Sequence, residues 1–109
     1  MTSWKEKLQS EFEQAQAARA EGNEGKARVC ARRAAGIAIR EYYARQGHPI
    51  HTSSAYDLLK TLTAEPYLPA DLKQAAAYLT LRVTEEFKLP VEVDLIETAR
   101  KLCNRLLET

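Results

Sequence analysis

Apolar residues recur at every third or fourth position through most of this 109-residue chain, the period of helices that turn one face to a core. Trp4, Leu8, Phe12 and Ala15 form a narrow first stripe, with Ser3 and Glu6 at capping-box spacing in front of it. The run Gly22-Asn23-Glu24-Gly25 breaks the pattern, because Gly and Asn readily take the backbone of a helix C-cap. A second pattern extends from Ala27 to about Gln46 and stops at Gly47, with Pro49 just beyond. On a helical projection Ala27, Cys30, Ala31, Ala34, Ala35, Ala38 and Tyr42 share one broad arc, while Arg28, Arg32, Arg33 and Arg40 fall on the other side. A link this short makes the first two predicted helices an antiparallel hairpin.

The loop GHPIHTSS follows, and Thr52, Ser53 or Ser54 can cap a short third helix carrying Tyr56, Leu58, Leu59 and Leu62. AEPYLPAD, with Pro66 and Pro69, reads as the next connection. A fourth helix is predicted from about Ala70 to Lys88-Leu89-Pro90, with Leu72, Ala76, Leu79, Val83 and Phe87 on one stripe. Its opposite flank still carries Ala77, Tyr78 and Leu81, so it is either sandwiched or part of an oligomer interface. Asp94 and Glu97 then introduce a last helix that buries Leu95, Ile96, Ala99, Leu102, Cys103, Leu106 and Leu107 and turns Arg100, Lys101 and Arg105 outward. The expected fold is all-α: one domain over residues 1–109, an up-and-down bundle of four long helices plus one short helix.

Composition agrees with this reading and narrows the function. Ala, Leu, Glu, Lys, Arg and Gln are helix formers, and four Gly and four Pro are too few for a disordered chain. A net charge of +1 gives no bulk electrostatic argument for nucleic acid or membrane. The distribution says more: residues 19–45 hold seven basic and three acidic side chains, residues 64–97 seven acidic and three basic. Opposite charges on these segments either attract within the fold or across a dimer, or polarise the surface toward a ligand. No apolar run approaches the ~20 residues that span a bilayer, and MTSWKEKLQSEFEQ lacks the apolar core of a signal peptide, which predicts a cytoplasmic protein with no membrane contact.

The residues offer little catalytic chemistry. Cys30 and Cys103 are too few and too far apart for a metal site or a redox pair, and both lie on apolar faces as buried free thiols. His48 and His51 share a loop without a third ligand at helical spacing, so no metal and no cofactor is expected. GNEG is a helix–helix turn and not a phosphate loop, lacking the Lys-Ser or Lys-Thr that must follow. Glu41 breaks into the apolar arc of the second helix, either buried against an Arg or Tyr or reaching solvent at the helix end. The basic face of Arg28, Arg32, Arg33 and Arg40 remains: a phosphate- or RNA-binding surface, or a set of solvated and interhelical ion pairs.

The order of these features resembles the HEPN (higher eukaryotes and prokaryotes nucleotide-binding) domains. The resemblance lies in the Ala-rich ARRAAGIAIREYY, in HTSSAYDLLKTL, and in LPADLKQAAAYLTLR with LPVEVDLIETARKLCNRLLE, over roughly residues 8–108. Arg33, Gly36 and Arg40 stand where the family commonly has Gln, Glu and Lys. Ribonuclease members carry an Arg followed four to six residues later by His; here Arg82 is followed by VTEEFK, so Glu86, Phe87 and Lys88 occupy the places of the His. Without that imidazole no group is poised near neutral pH to move the 2′-hydroxyl proton. The resemblance thus implies a non-catalytic member rather than a metal-independent ribonuclease. It implies a homodimer or a toxin–antitoxin-like partnership with a nucleotidyltransferase, for which the apolar flank of Ala77, Tyr78 and Leu81 is the candidate interface, or nucleotide or RNA binding, for which the basic face is the candidate.

Overall fold

Side-chain caps start four of the five helices in the computed structural model, which describes residues 3–52, 54–81 and 93–108. The helices are α1 (Trp4–Ala20), α2 (Glu24–Arg45), α3 (Ala55–Thr63), α4 (Ala70–Thr80) and α5 (Leu95–Leu107). Ser3 Oγ accepts from the Glu6 amide at 3.2 Å, Asn23 Oδ1 from Lys26 at 3.1 Å and Ser54 Oγ from Asp57 at 3.2 Å. Asp94 Oδ1 accepts from both Ile96 and Glu97, at 3.0 and 3.3 Å. Each bond satisfies an amide that the helix leaves without an internal partner. Gly22 (φ 80°) and Gly47 (φ 76°) end the first two helices with the left-handed backbone that favours glycine.

The second helix is the hub. α2 packs against each of the other four helices, whereas α1 and α3 share no contact. Its small residues permit this: Ala27, Ala31, Ala34, Ala35 and Ala38 are fully buried, so neighbouring backbones approach closely. The buried arc is wider than the alanine stripe and takes in Gly36, Ile39 and Tyr43. Gly36 explains why: a Cβ there would lie 3.1 Å from Ala55 Cβ and 3.2 Å from Ala55 Cα, so α3 rests directly on the α2 backbone. Tyr42, expected in the arc, is half-buried and sets its ring edge-on to Tyr43 at 5.2 Å. Tyr43 hides its ring and donates from its hydroxyl to Glu65 Oε1 at 3.0 Å, fastening α2 to the connection after α3. Burial first, then the bond to Glu65, push the Tyr43 phenol above its ordinary range.

The fourth helix departs from the sequence expectation. It runs 11 residues and ends at Thr80, not near Lys88, because Leu81 turns extended (φ −65°, ψ 140°). Among the described residues the bundle therefore has three longer helices and two short ones. Two groups at the end of α4 favour this stop: the Thr80 hydroxyl donates to Ala77 O at 2.6 Å, and an arginine from α2 takes the carbonyls of Leu79 and Leu81. Leu72, Ala76 and Leu79 are buried as the stripe predicts; Val83 and Phe87, like Arg82 and Glu86, lie outside the described residues.

Both cysteines are buried, free thiols. Cys103 lies against Ala34 O, with sulfur to oxygen 3.7 Å, and burial pushes its thiol up to about 12. No described helix is long and apolar enough to cross a membrane.

Arg19 joins three helix ends. From the last turn of α1 it donates to Glu24 Oε1 at 2.6 Å, at the start of α2, and to Asp94 Oδ2 at 2.9 Å, the cap of α5. The Arg19–Asp94 bond joins the basic segment to the acidic one within the fold, whereas Glu24 belongs to the basic segment itself. Hydrogen bonding to Arg19 lowers both carboxyls from their ordinary values of 4.5 and 3.8. Groups held below their unfolded values contribute stability that is complete above about pH 5 and is lost as pH falls through the lowered values. The melting temperature should therefore drop as pH falls below 4.5, and Arg19→Gln should flatten that part of the profile. An Arg19→Gln protein with the wild-type slope in a pH series of thermal melts would contradict this role.

Candidate interaction groove over the central helix

Because the α1 and α3 backbones stay more than 8 Å apart, one stripe of α2 is left uncovered between them. Two adjoining clefts lie there, of about 470 and 280 Å³, and they share Ile37 and Arg40. The larger is lined by Glu11 of α1, by Val29, Arg32, Arg33, Gly36, Ile37 and Arg40 of α2, and by Ala55 and Leu58 of α3. The smaller continues along α2 to Ala44, with Trp4 and Lys7 on one wall and Pro49 and Ile50 on the other. The floor steps through Val29, Arg33 and Ile37 at four-residue intervals, which puts them in line on one helix face. Val29 is 42% exposed, an unusual position for a large aliphatic side chain in so small a protein.

The four arginines of the basic face have separate tasks. Arg32 is committed inside the fold: its Nε donates to Leu79 O at 2.8 Å and an Nη to Leu81 O at 2.6 Å. No basic residue stands in the last turn of α4, so Arg32 supplies from α2 the cation that this helix end lacks. Burial, and then the neighbouring charge of Arg28, hold its guanidinium below the ordinary value of 12.5. Arg28 is half-buried, and its charge acts on Glu24 at the helix start. Arg33 and Arg40 are exposed, and neither side chain forms an ion pair or hydrogen bond with another described residue. Both open into the groove.

Two carboxylates face the same groove. Glu41 is neutralised by Arg45 at 3.2 Å, one turn away, with its side chain 24% exposed, so it takes both readings at once: half-buried and paired. Glu11 is different. Its Oε2 is buried and finds no hydrogen-bond partner among the described residues. Burial first, then the charge of Glu11 and a hydrogen bond with its carboxylate, push the Cys30 thiol upward.

The remaining candidates fall elsewhere. Ala77 is exposed on α4, Tyr78 is half-buried against the core, and Leu81 is half-buried beyond the helix end; together they leave a narrow apolar flank. His48 and His51 are exposed in their loop, and among the described residues no three His, Cys, Asp or Glu side chains stand close enough to hold a metal ion. A cleft of about 580 Å³ between α1 and α5 has Leu8, Phe12 and Cys103 in its lining, but Arg100 already lies over the Phe12 ring, 4.7 Å from its centroid. Periodicity separated the α2 faces correctly; what it missed is which arginines the tertiary fold consumes. Comparison with protein-family models, with curated proteins and with solved structures found no match.

Proposed function

We propose that this chain is a non-catalytic, HEPN-like interaction module whose working surface is the groove over α2. The observation that carries the reading is the uncovered stripe of Val29, Arg33, Ile37 and Arg40 between two helices that do not meet. Apolar and charged groups alternate along it, the composition of a protein-docking surface rather than of a catalytic pocket. Two arginines unpaired among the described residues, interleaved with aliphatic side chains and flanked by Glu11 and Glu41, supply a weaker and more local field than the four-arginine face expected of a nucleotide or RNA site. The resemblance to the family supplies candidate occupants, a second copy or a nucleotidyltransferase. No catalytic residue, metal or cofactor is assigned.

The α2 groove and the α4 flank are separable by substitution. Ile37→Arg places a charge on the groove floor, and Ala77→Glu places one on the exposed flank of α4. In co-purification from native extract, with light-scattering mass of the pure protein alongside, Ile37→Arg should lose the associated chain while keeping its helical circular dichroism. Ala77→Glu should keep it. Loss on Ala77→Glu and retention on Ile37→Arg would move the interface to α4.

A further inference from the structure

We infer that the groove receives an acidic amphipathic helix from a different protein, an assignment that rests on the interaction reading above. The dimensions suit a helix. The α2 floor from Val29 to Ala44 spans about 22 Å, or roughly 16 residues at 1.5 Å each. Walls formed by α1 and α3 stand on either side without meeting. An incoming helix would complete the packing around α2, whose other faces are already covered.

Charge selects the chemistry. Arg33 and Arg40 are seven residues apart on α2, hence about 10 Å apart along the axis and on nearly the same side. Two carboxylates seven residues apart on a partner helix match that spacing, and Arg forks suit carboxylates geometrically. Ile37, between the two arginines, and Val29, four residues before Arg33, ask for apolar residues at three- and four-residue steps from the partner's carboxylates.

The same features disfavour the competing occupants. A nucleic-acid strand relies on aromatic stacking, and the groove's aromatic ring, Trp4, is taken up by Lys5 at 5.7 Å and Arg45 at 5.5 Å. It would also run its phosphates past Glu11. A second copy offers Glu6 and Glu13 on α1 at the right interval, but Gln9 and Ser10 lie between them where apolar residues are needed.

The test is fluorescence anisotropy of the full chain with a labelled helical peptide of about 16 residues, bearing two Glu seven apart around two Leu. The peptide should bind, and Arg33→Glu with Arg40→Glu should weaken binding by about tenfold or more. Replacing both peptide Glu by Lys should restore binding to that double variant. No binding to the wild-type chain, an unaffected double variant, failure of the charge-swapped pair, or tighter binding of a single-stranded RNA of similar length would each overturn the assignment. A light-scattering mass of two chains that falls to one in the double variant would overturn it in favour of a second copy. If the peptide fails while Ile37→Arg still strips the co-purifying chain, the groove remains the interface and only the acidic helix is wrong. If Ile37→Arg strips nothing, the interaction reading itself falls.

Discussion

Gly36→Val is expected to destabilise the fold by about 2–3 kcal/mol and to lower the melting temperature by roughly 10 °C or more. The cause is a helix crossing with no room for a side chain. A Cβ at Gly36 meets the Ala55 Cβ at 3.1 Å and the Ala55 Cα at 3.2 Å, and the second of these is backbone that cannot rotate away. Valine adds two γ-methyl groups held close to the helix, where one rotamer dominates. Gly36→Ala separates the two contributions. Alanine gains up to about 1 kcal/mol of helix propensity over glycine but meets the same short contacts, so it should fall near the wild type. Urea unfolding of the two variants checks this. A valine variant as stable as the wild type would mean that α3 slides off α2 at little cost.

Arg32→Met should cost about 2–3 kcal/mol, comparable to losing a buried aliphatic side chain. Methionine keeps much of the stem that packs along α2 but removes both donors to Leu79 O and Leu81 O. Those carbonyls lie at the end of α4, in a half-buried setting where water replaces the guanidinium poorly. Arg32→Lys should recover part of the loss, since a point charge still favours the helix C-terminus but cannot bridge two acceptors. Unfolding free energies in the order Arg, Lys, Met would support this. An Arg32→Met protein with wild-type stability would return Arg32 to the set of arginines free to meet a ligand.

The contrast between Arg32 and its neighbour Arg33 shows where the sequence is legible and where it stops. Local signals carry a long way. Ser3 and Asp94 read as caps and are caps, and Ser54 is the one of three candidates that caps α3; Gly22 and Gly47 read as helix stops and have the positive φ that requires. The alanine stripe of α2 marks its buried side because burial on a helix follows a period that the chain displays. Position on that wheel also puts all four arginines on one face. It cannot say that one of them meets a carbonyl 49 residues away while the next pairs with none of the described residues, because that depends on where α4 ends.

The end of α4 is itself the clearest miss. Apolar periodicity through Val83 and Phe87 argues for continuation, yet Leu81 is extended. The competing signals are weak ones locally: a threonine that bonds back to its own helix, and an acceptor pair satisfied from another helix. Gly36 was visible only as a departure from a family pattern; its packing against Ala55 is a tertiary fact. The groove follows the same rule, since Val29 and Ile37 lie outside the alanine arc but nothing in their spacing says that α1 and α3 fail to close over them.

Amide chemical-shift mapping of the isotopically labelled chain, titrated with the acidic helical peptide, tests the central claim most directly. Changes should concentrate on residues 29–44 of α2 and on the two walls, around Lys7 and Glu11 of α1, Ile50 in the loop before α3, and Ala55 and Leu58 of α3. Changes centred on Ala77 and Tyr78 of α4, or along the α1–α5 cleft at Phe12 and Arg100, would contradict it.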